Sequence, residues 1–333
     1  MKTFLKVVGI IVLTIVALAA IGVSWLALRK PAQREAVAEK VQATPERVAR
    51  GKYLVHHVSM CFDCHSERTM QYGLPFKPGR EGVGGFIWDQ KIGFPGTLAA
   101  ANLTPDPDTG LGKWSDGEIL RAMREGVDRE GKALFPIMPY GHLRSMSDDD
   151  AHAIVAYLRT LKPIRYEEPK KALNVPLNFI EKFIPQPIAG PVAAPDKSDH
   201  LAYGKYMTTI ALCSECHATK NEKNETIPGR EFAGGWVMHA PGFTVVPPNI
   251  TPHPDTYIGK ATKEEFIARF RAFGNYTTET APAATKGKNT LMPWISFSGM
   301  TDEDLGAIYD YLKSIPPVDH KVNPWPDAPA AGS

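Results

Sequence analysis

The chain has no cysteine to spare. Its 333 residues include four, Cys61, Cys64, Cys213 and Cys216, and all four sit in two short motifs, CFDCH and CSECH. None remains for a structural disulfide, a catalytic thiol or a thiolate ligand elsewhere, so any activity built on a fifth cysteine is excluded. An excess of charge of one sign is also lacking: 38 basic against 36 acidic residues leave a net charge of +2. A nucleic-acid binder would show a concentrated basic face, and no such partner is expected. Strong strand periodicity is missing as well. In its place stand 28 glycines and 29 prolines without a fixed period, among enough apolar residues for a folded, loop-rich protein.

Charge is absent altogether from Val7 to Leu28, VVGIIVLTIVALAAIGVSWLAL. A membrane-spanning helix needs about 20 apolar residues, whereas the apolar core of a secretory signal usually has about 7–15. The length favours an uncleaved anchor over residues 1–30, against the small-residue cleavage pattern at Ala17-Leu18-Ala19. Lys2 and Lys6 before the run are rivalled by Arg29, Lys30 and Arg34 after it, so the positive-inside rule gives little direction.

The chain repeats itself. ARGKYLVHHVSMCFDCH matches AYGKYMTTIALCSECH, PGREGVGGF matches PGREFAGGW, and ANLTPDPDTGLGKWSDGEIL matches PNITPHPDTYIGKATKEEFI. IMPYGHLRSMSDDDAHAIVAYLRTL matches LMPWISFSGMTDEDLGAIYDYLKSI in the same order. Two copies of one unit are predicted, at 45–165 and 198–318. Linkers occupy 31–44 and 166–197, and a loose Pro/Ala-rich tail covers 319–333. The second linker carries an apolar middle, LNVPLNFIEKFI, suited to a domain surface or a membrane.

Three helices per unit are readable. The first precedes each CxxCH; in unit one Thr44 caps it, with Pro45 in the first turn and Glu46 suited to the dipole. The second starts at a capping box, Ser115 with Glu118 or Thr262 with Glu265. The third starts at Ser147 or Thr301, and its apolar residues fall at Ile154, Tyr157, Leu158 and Leu161, then at Ile308, Tyr311, Leu312 and Ile315. That spacing is an amphipathic helix facing a core. Long Gly/Pro loops between such helices usually wrap around something.

Zinc is a poor account of the motifs. Zinc ribbons separate their CxxC pairs by roughly 15–20 residues, whereas here each pair belongs to its own repeat, and zinc gives no reason for a histidine after both. A thioredoxin-like pair needs a βαβ setting that is absent. A c-type haem explains every element: two thiols add to the two vinyl groups, and the adjacent His65 or His217 reaches the iron. Two covalently bound haems c are therefore expected.

The repeat nominates the sixth iron ligand. Met138 and Met292 each precede Pro and an aromatic residue in the loop before the last helix. Proline stiffens such a loop, and thioether ligation raises the potential. Met146 and Met300 also recur but sit beside the third helix's start and rank second; Met123, within a helical stripe, reads as core. His56, His57, His142, His239 and His253 have no matching partner and read as surface or structural. Arg80 and Arg230 recur in PGRE, either as propionate partners or as solvated cations. Asn102 and Asn249 recur before a (L/I)TP turn, to orient a propionate or to cap that turn. Trp114 reads as packing.

The order CxxCH, NLTPDPDTGLG, IMPY and SDDDAHAIVAYLRTL resembles the class I cytochrome c domains of the cytochrome c subunits of membrane-bound alcohol, gluconate or sorbitol-type dehydrogenases. The resemblance covers both repeats. It implies an all-α fold of two tandem class I domains behind an N-terminal transmembrane helix, with haem held by Cys61, Cys64, Cys213 and Cys216 and axial pairs His65/Met138 and His217/Met292. The chain departs from that pattern, which commonly has three haem domains and a C-terminal attachment. The expected role is electron transfer without catalysis of its own. The expected donor is a membrane dehydrogenase or other respiratory complex, and the acceptor is a soluble cytochrome or terminal oxidase. The expected place is the bacterial inner membrane, with the haem domains in the periplasm. The alternative is a peroxidase-like dihaem oxidoreductase with one open iron, which should lack or displace one of the paired methionines. A haem-based sensor is disfavoured by the short cytoplasmic end.

Overall fold

The computed structural model describes residues 1–326. The chain opens with α1 (Lys2–Leu28), a helix with no buried residue and a mean hydropathy of 2.8 over its most apolar window, long and apolar enough to cross a membrane. The first half follows with α2 (Pro45–Tyr53), α3 (Cys61–Cys64), β1 (Ile87–Trp88), β2 (Gly96–Ala99), α4 (Asp116–Glu125), α5 (Tyr140–Leu143) and α6 (Asp148–Leu158). A connecting stretch adds β3 (Ala172–Leu173) and α7 (Leu177–Ile180). The second half has α8 (His200–Ile210), α9 (Cys213–His217), β4 (Met238–Ala240), β5 (Phe243–Val245), α10 (Tyr257–Lys260), α11 (Lys263–Arg271), α12 (Trp294–Phe297) and α13 (Asp302–Ser314).

The capping chemistry acts as its residues dictate. Thr44 accepts from the Arg47 amide, Ser115 and Thr262 each close a full capping box, and Ser147 and Thr301 accept from the amides of Asp150 and Asp304. The all-α expectation needs one correction: five short strands lie among the loops of the described residues. β2 pairs antiparallel with both β1 and β3, and β4 with β5. Each strand has only two to four residues, too few for an alternating pattern to stand out.

In each half the first and last helices cross at a glycine. A Cβ on Gly51 would lie 1.8 Å from the carbonyl oxygen of Ala153 on α6, and one on Gly204 would lie 2.1 Å from that of Ala307 on α13. Only glycine lets the backbones approach that closely. Apolar side chains close around both crossings and form one continuous cluster through the two halves, including Leu54, Phe62 and Ile154 from the first and Met207, Ile210 and Leu312 from the second.

The two repeats differ by one residue before the cysteines. Gly51 to Cys61 is one position longer than Gly204 to Cys213. A π-helical turn over Leu54–Val58, closed by the Ser59 amide on the Leu54 carbonyl at 2.8 Å, takes up the insertion.

The connecting segments lie along the body. Arg34 pairs with Glu125 at 2.7 Å, and the Val41 amide donates to Asp116 at 2.8 Å. The tail expected to be loose over 319–333 is bound as far as it is described; residues 327–333 lie outside the described residues. Asn249 Nδ2 donates to the carbonyls of Val318 and His320, and Trp325 Nε1 donates to that of Asn289. Composition suggested looseness, but the extended backbone offers carbonyls to the buried Asn249 amide, and Trp325 in the tail donates its own indole N–H to the body.

Gly204→Ala is expected to destabilise the protein by about 3 kcal/mol or more through overpacking at the crossing. Gly141→Ala, whose added methyl would meet nothing within 4 Å, is expected to be near neutral. Denaturant midpoints of the two variants check this.

Candidate functional site

Each CxxCH forms a single helical turn, entered through a strained residue. Met60 (φ 54°) and Leu212 (φ 60°) both sit in the left-handed region, at a cost on the order of 1 kcal/mol for a side chain that is not glycine. The kink starts the turn at the first cysteine and brings the second, three positions on, to the same face. All four thiols are free and partly accessible. Burial nonetheless pushes them up, to about 12 for Cys61, Cys213 and Cys216 and about 11 for Cys64. In the second half, Cys213 and Cys216 face an internal cavity.

The histidines are fixed identically. His65 Nδ1 lies 2.7 Å from the carbonyl oxygen of Ala101, and His217 Nδ1 lies 2.7 Å from that of Pro248. Burial lowers both imidazole pKa values, against the pull of these carbonyls. A neutral ring that donates from Nδ1 has Nε2 free as a ligand. The acceptors escaped notice in the sequence because a backbone carbonyl has no residue signature. The available signal was the shared asparagine that follows each of them.

Those asparagines fasten the turns that present the carbonyls. Asn102 Oδ1 accepts from the amide and hydroxyl of Thr104, and its Nδ2 donates to the Ile164 carbonyl at 2.8 Å. Asn249 does the same with Thr251 and with the carbonyls of Val318 and His320. This is the turn-capping arrangement, with both amide groups already engaged inside the chain.

Met138 and Met292 stand on matching turns. The Tyr140 amide donates to the Met138 carbonyl and the Trp294 amide to that of Met292, each at 2.8 Å. Pro139 (φ −81°, ψ 44°) and Pro293 (φ −79°, ψ 58°) lie at the centres, near the inverse γ-turn geometry that proline favours. Both methionines are partly buried against the core, whereas Met146 and Met300 are fully buried.

In the second half a cavity of about 700 Å³ brings Cys213, Cys216, His217 and Met292 together, with Phe266 and Leu312 among its apolar walls. That volume falls within the ~300–1,000 Å³ of small-molecule and cofactor sites. Met300 also faces the cavity, as does Met60 from the first half. Arg230 does not line it. The cations that do are Arg269 and Lys321, with His253 and His320 beside them, and nothing in the repeat pattern pointed to these. Arg80 is held by Glu67, Nε to Oε1 at 2.8 Å, and lies over the Tyr166 ring. Trp114 packs on the core as read.

The halves clasp each other near both motifs, and the contacts are reciprocal. Tyr53 of the first half donates to Asp304 of the second at 2.5 Å, and its counterpart Tyr206 donates to Asp150 of the first at 2.6 Å. The acid inside each CxxCH reaches the short helix after the other half's methionine. Ser296 Oγ donates to Asp63 at 2.6 Å, and His142 Nε2 lies 2.9 Å from Glu215. His57 adds a contact to the Ser296 carbonyl at 2.9 Å. Burial raises the Asp63 pKa despite Arg68 and Ser296. Glu215, also opposed by burial, is held low by His142 and Lys220.

No protein-family model matches the chain. It is 29% identical over 298 residues to the cytochrome c subunit of alcohol dehydrogenase (quinone) of Gluconacetobacter polyoxogenes, covering 85% of this chain and 59% of that one. To a nicotinate dehydrogenase component of Pseudomonas putida it is 33% identical over 189 residues, covering 52% and 15%. A diheme cytochrome c-type protein of Cereibacter sphaeroides is 28% identical over 229 residues, covering 67% and 73%. The chain thus spans less than two thirds of the length of the first two. The resemblance carried by the motifs extends over most of the sequence: the chain is similar to cytochrome c subunits of dehydrogenases.

His56 offers a test of local electrostatics. Its Nε2 lies 2.6 Å from the Tyr157 hydroxyl, and burial, with His57 and Lys52, lowers its pKa to about 4. The folded value lies below the ordinary ~6.5. The neutral ring's contribution is therefore complete above about pH 6.5 and is lost as pH falls toward 4. His56→Gln is expected to remove on the order of 2 kcal/mol of that decline, measured by denaturant unfolding of both proteins at pH 7 and pH 4.5.

Proposed function

We propose that this chain is a membrane-anchored dihaem c-type cytochrome that carries electrons and catalyses no reaction of its own. Two class I cytochrome c domains, 45–165 and 198–318, would each hold one haem. The observation that carries this reading is the apolar cavity in which Cys213, Cys216, His217 and Met292 meet, together with the same turn, carbonyl and proline devices around Cys61, Cys64, His65 and Met138. The donor set fits a c-type haem: two thiols on one face of a turn, an imidazole with its distal nitrogen free, and a thioether on a stiffened loop. The cysteines would hold the macrocycle, and His65/Met138 and His217/Met292 would be the axial pairs.

A haem bound at each site supplies an iron that takes up and releases one electron. The chain's own residues set the terms. The Ala101 and Pro248 carbonyls orient the imidazoles and raise their basicity. The Pro139 and Pro293 turns hold the thioethers, and thioether ligation raises the potential. Apolar walls keep water away and limit the charge reorganisation that electron transfer requires. For Arg80, Arg230, Asn102 and Asn249, a propionate role is the weaker reading, since Arg80 and both asparagines are engaged within the chain; Arg269 and Lys321 are better placed.

α1, long and apolar enough to cross a bilayer, supports the membrane anchor; the membrane would be the inner one, with both haem domains on its periplasmic side. The named relatives support a membrane dehydrogenase as donor, by analogy with subunits of that kind. A soluble cytochrome or terminal oxidase would be the acceptor.

The deciding measurement is the optical spectrum of the dithionite-reduced protein with and without carbon monoxide. No change is expected, because both irons would carry two protein ligands. Binding at one haem per chain would instead indicate the peroxidase-like alternative with one open iron. In the Met292→Ala protein, carbon monoxide is expected to bind one haem and the potential of that haem to fall. In Met300→Leu the spectrum is expected to stay insensitive to carbon monoxide.

A further inference from the structure

The stretch between the halves turns the wrong way out for a surface in water. Val175, Ile180, Phe183 and Ile184 are 74%, 48%, 46% and 38% exposed. The one acid among them, Glu181, is buried and paired with Lys171 at 3.0 Å. A soluble surface selects the opposite arrangement, and contiguous exposed apolar groups mark an interaction site.

This turn stands at the end of α1. Lys182 Nζ donates to the carbonyls of Leu26 and Ala27 at 3.0 and 2.7 Å, two of the carbonyls that a helix end leaves unpaired. The Arg29 guanidinium lies 5.1 Å from the Trp25 ring centre and 4.4 Å from that of Phe183. Behind the turn, β3 pairs with β2 and joins it to the first half. The exposed apolar patch is therefore continuous with the apolar helix on one side and fastened to the first CxxCH half on the other. Aromatic and basic side chains gathered at such a junction are the groups that settle at a membrane interface.

We propose that Val175–Ile184 is a second membrane contact, seated in the headgroup layer beside the exit of α1. The occupant of the patch is the lipid bilayer. A single helix would leave the body free to tilt and swivel, whereas a helix plus an adjacent interfacial turn sets which face of the body looks away from the membrane. This inference rests on the reading of α1 as a membrane-spanning anchor.

In the haem-loaded protein the four natural cysteines are in thioether linkage, so an introduced cysteine is the one free thiol. Full-length Val175→Cys, Ile180→Cys, Leu18→Cys and Glu222→Cys proteins, each checked for an unchanged haem spectrum, would be labelled with an environment-sensitive fluorophore. They would be reconstituted into vesicles of phosphatidylethanolamine and phosphatidylglycerol containing lipids with nitroxides at defined depths. Loss of emission is expected at 18 with deep nitroxides, at 175 and 180 with shallow ones, and not at 222. Quenching at 18 but not at 175 or 180 would overturn the second contact while leaving the anchor intact, and would point to a protein partner as the occupant. No quenching at 18 would overturn the anchor; quenching at 175 and 180 alone would then keep the patch as a peripheral lipid contact. Quenching at none of the three would overturn both.

Discussion

The structure depends first on how closely two helices approach. At Gly51 and Gly204 the helix before each CxxCH lies against the carbonyl of a residue one turn into the last helix of its half. No side chain fits there, so the crossing sets the distance between the two helices and leaves little freedom to slide. The CxxCH turn is attached to the end of the first helix, and the methionine loop leads into the last. Fixing the crossing therefore fixes how far apart the two candidate ligands of one site can be. The π-helical turn follows from the same constraint: the first half absorbs its additional residue between the crossing and the cysteine, and crossing and turn both remain.

From that frame the site is completed mostly by backbone. A left-handed residue starts each cysteine turn, a carbonyl orients each histidine, and an inverse γ-turn at proline carries each methionine. Side chains act mainly behind these groups, as Asn102 and Asn249 do in securing the turns whose carbonyls face the imidazoles. Such support is stiff, because a backbone carbonyl in a closed turn has no rotamer to change. Apolar walls complete the arrangement and make the interior one in which a charged thiol or imidazolium is disfavoured.

Much of this was legible in the residues themselves. Ser115 with Glu118, Thr262 with Glu265, and Ser147 and Thr301 ahead of aspartates mark helix starts through local hydrogen bonding, and local signals survive folding. The repeated CxxCH and MP(Y/W) elements nominated the candidate site because thiols, imidazoles and thioethers carry chemistry that few other residues share. What stayed hidden is non-local or anonymous. Ala101 and Pro248 act through carbonyls that any residue has. The strands are too short to alternate. The stretch 319–326 has a composition that reads as loose, yet Asn249 holds it at His320 and its own Trp325 ties it to Asn289. Glycine in GKY was visible in both repeats, but only the partner helix explains it.

The reciprocal clasp has a consequence for symmetry. Tyr53 on Asp304 and Tyr206 on Asp150 are one contact made twice, with the roles of the halves exchanged, which is how subunits meet across a two-fold axis. The chain is in this sense a dimer written into one polypeptide, and the stretch joining its halves makes their association independent of dilution. In a true homodimer every substitution appears on both sides of the axis. Here each side varies alone: one motif acid is Asp63, held by Ser296 and Arg68, the other Glu215, held by His142 and Lys220. A duplicated chain can keep the geometry of a symmetric pair and still give its two CxxCH motifs different surroundings.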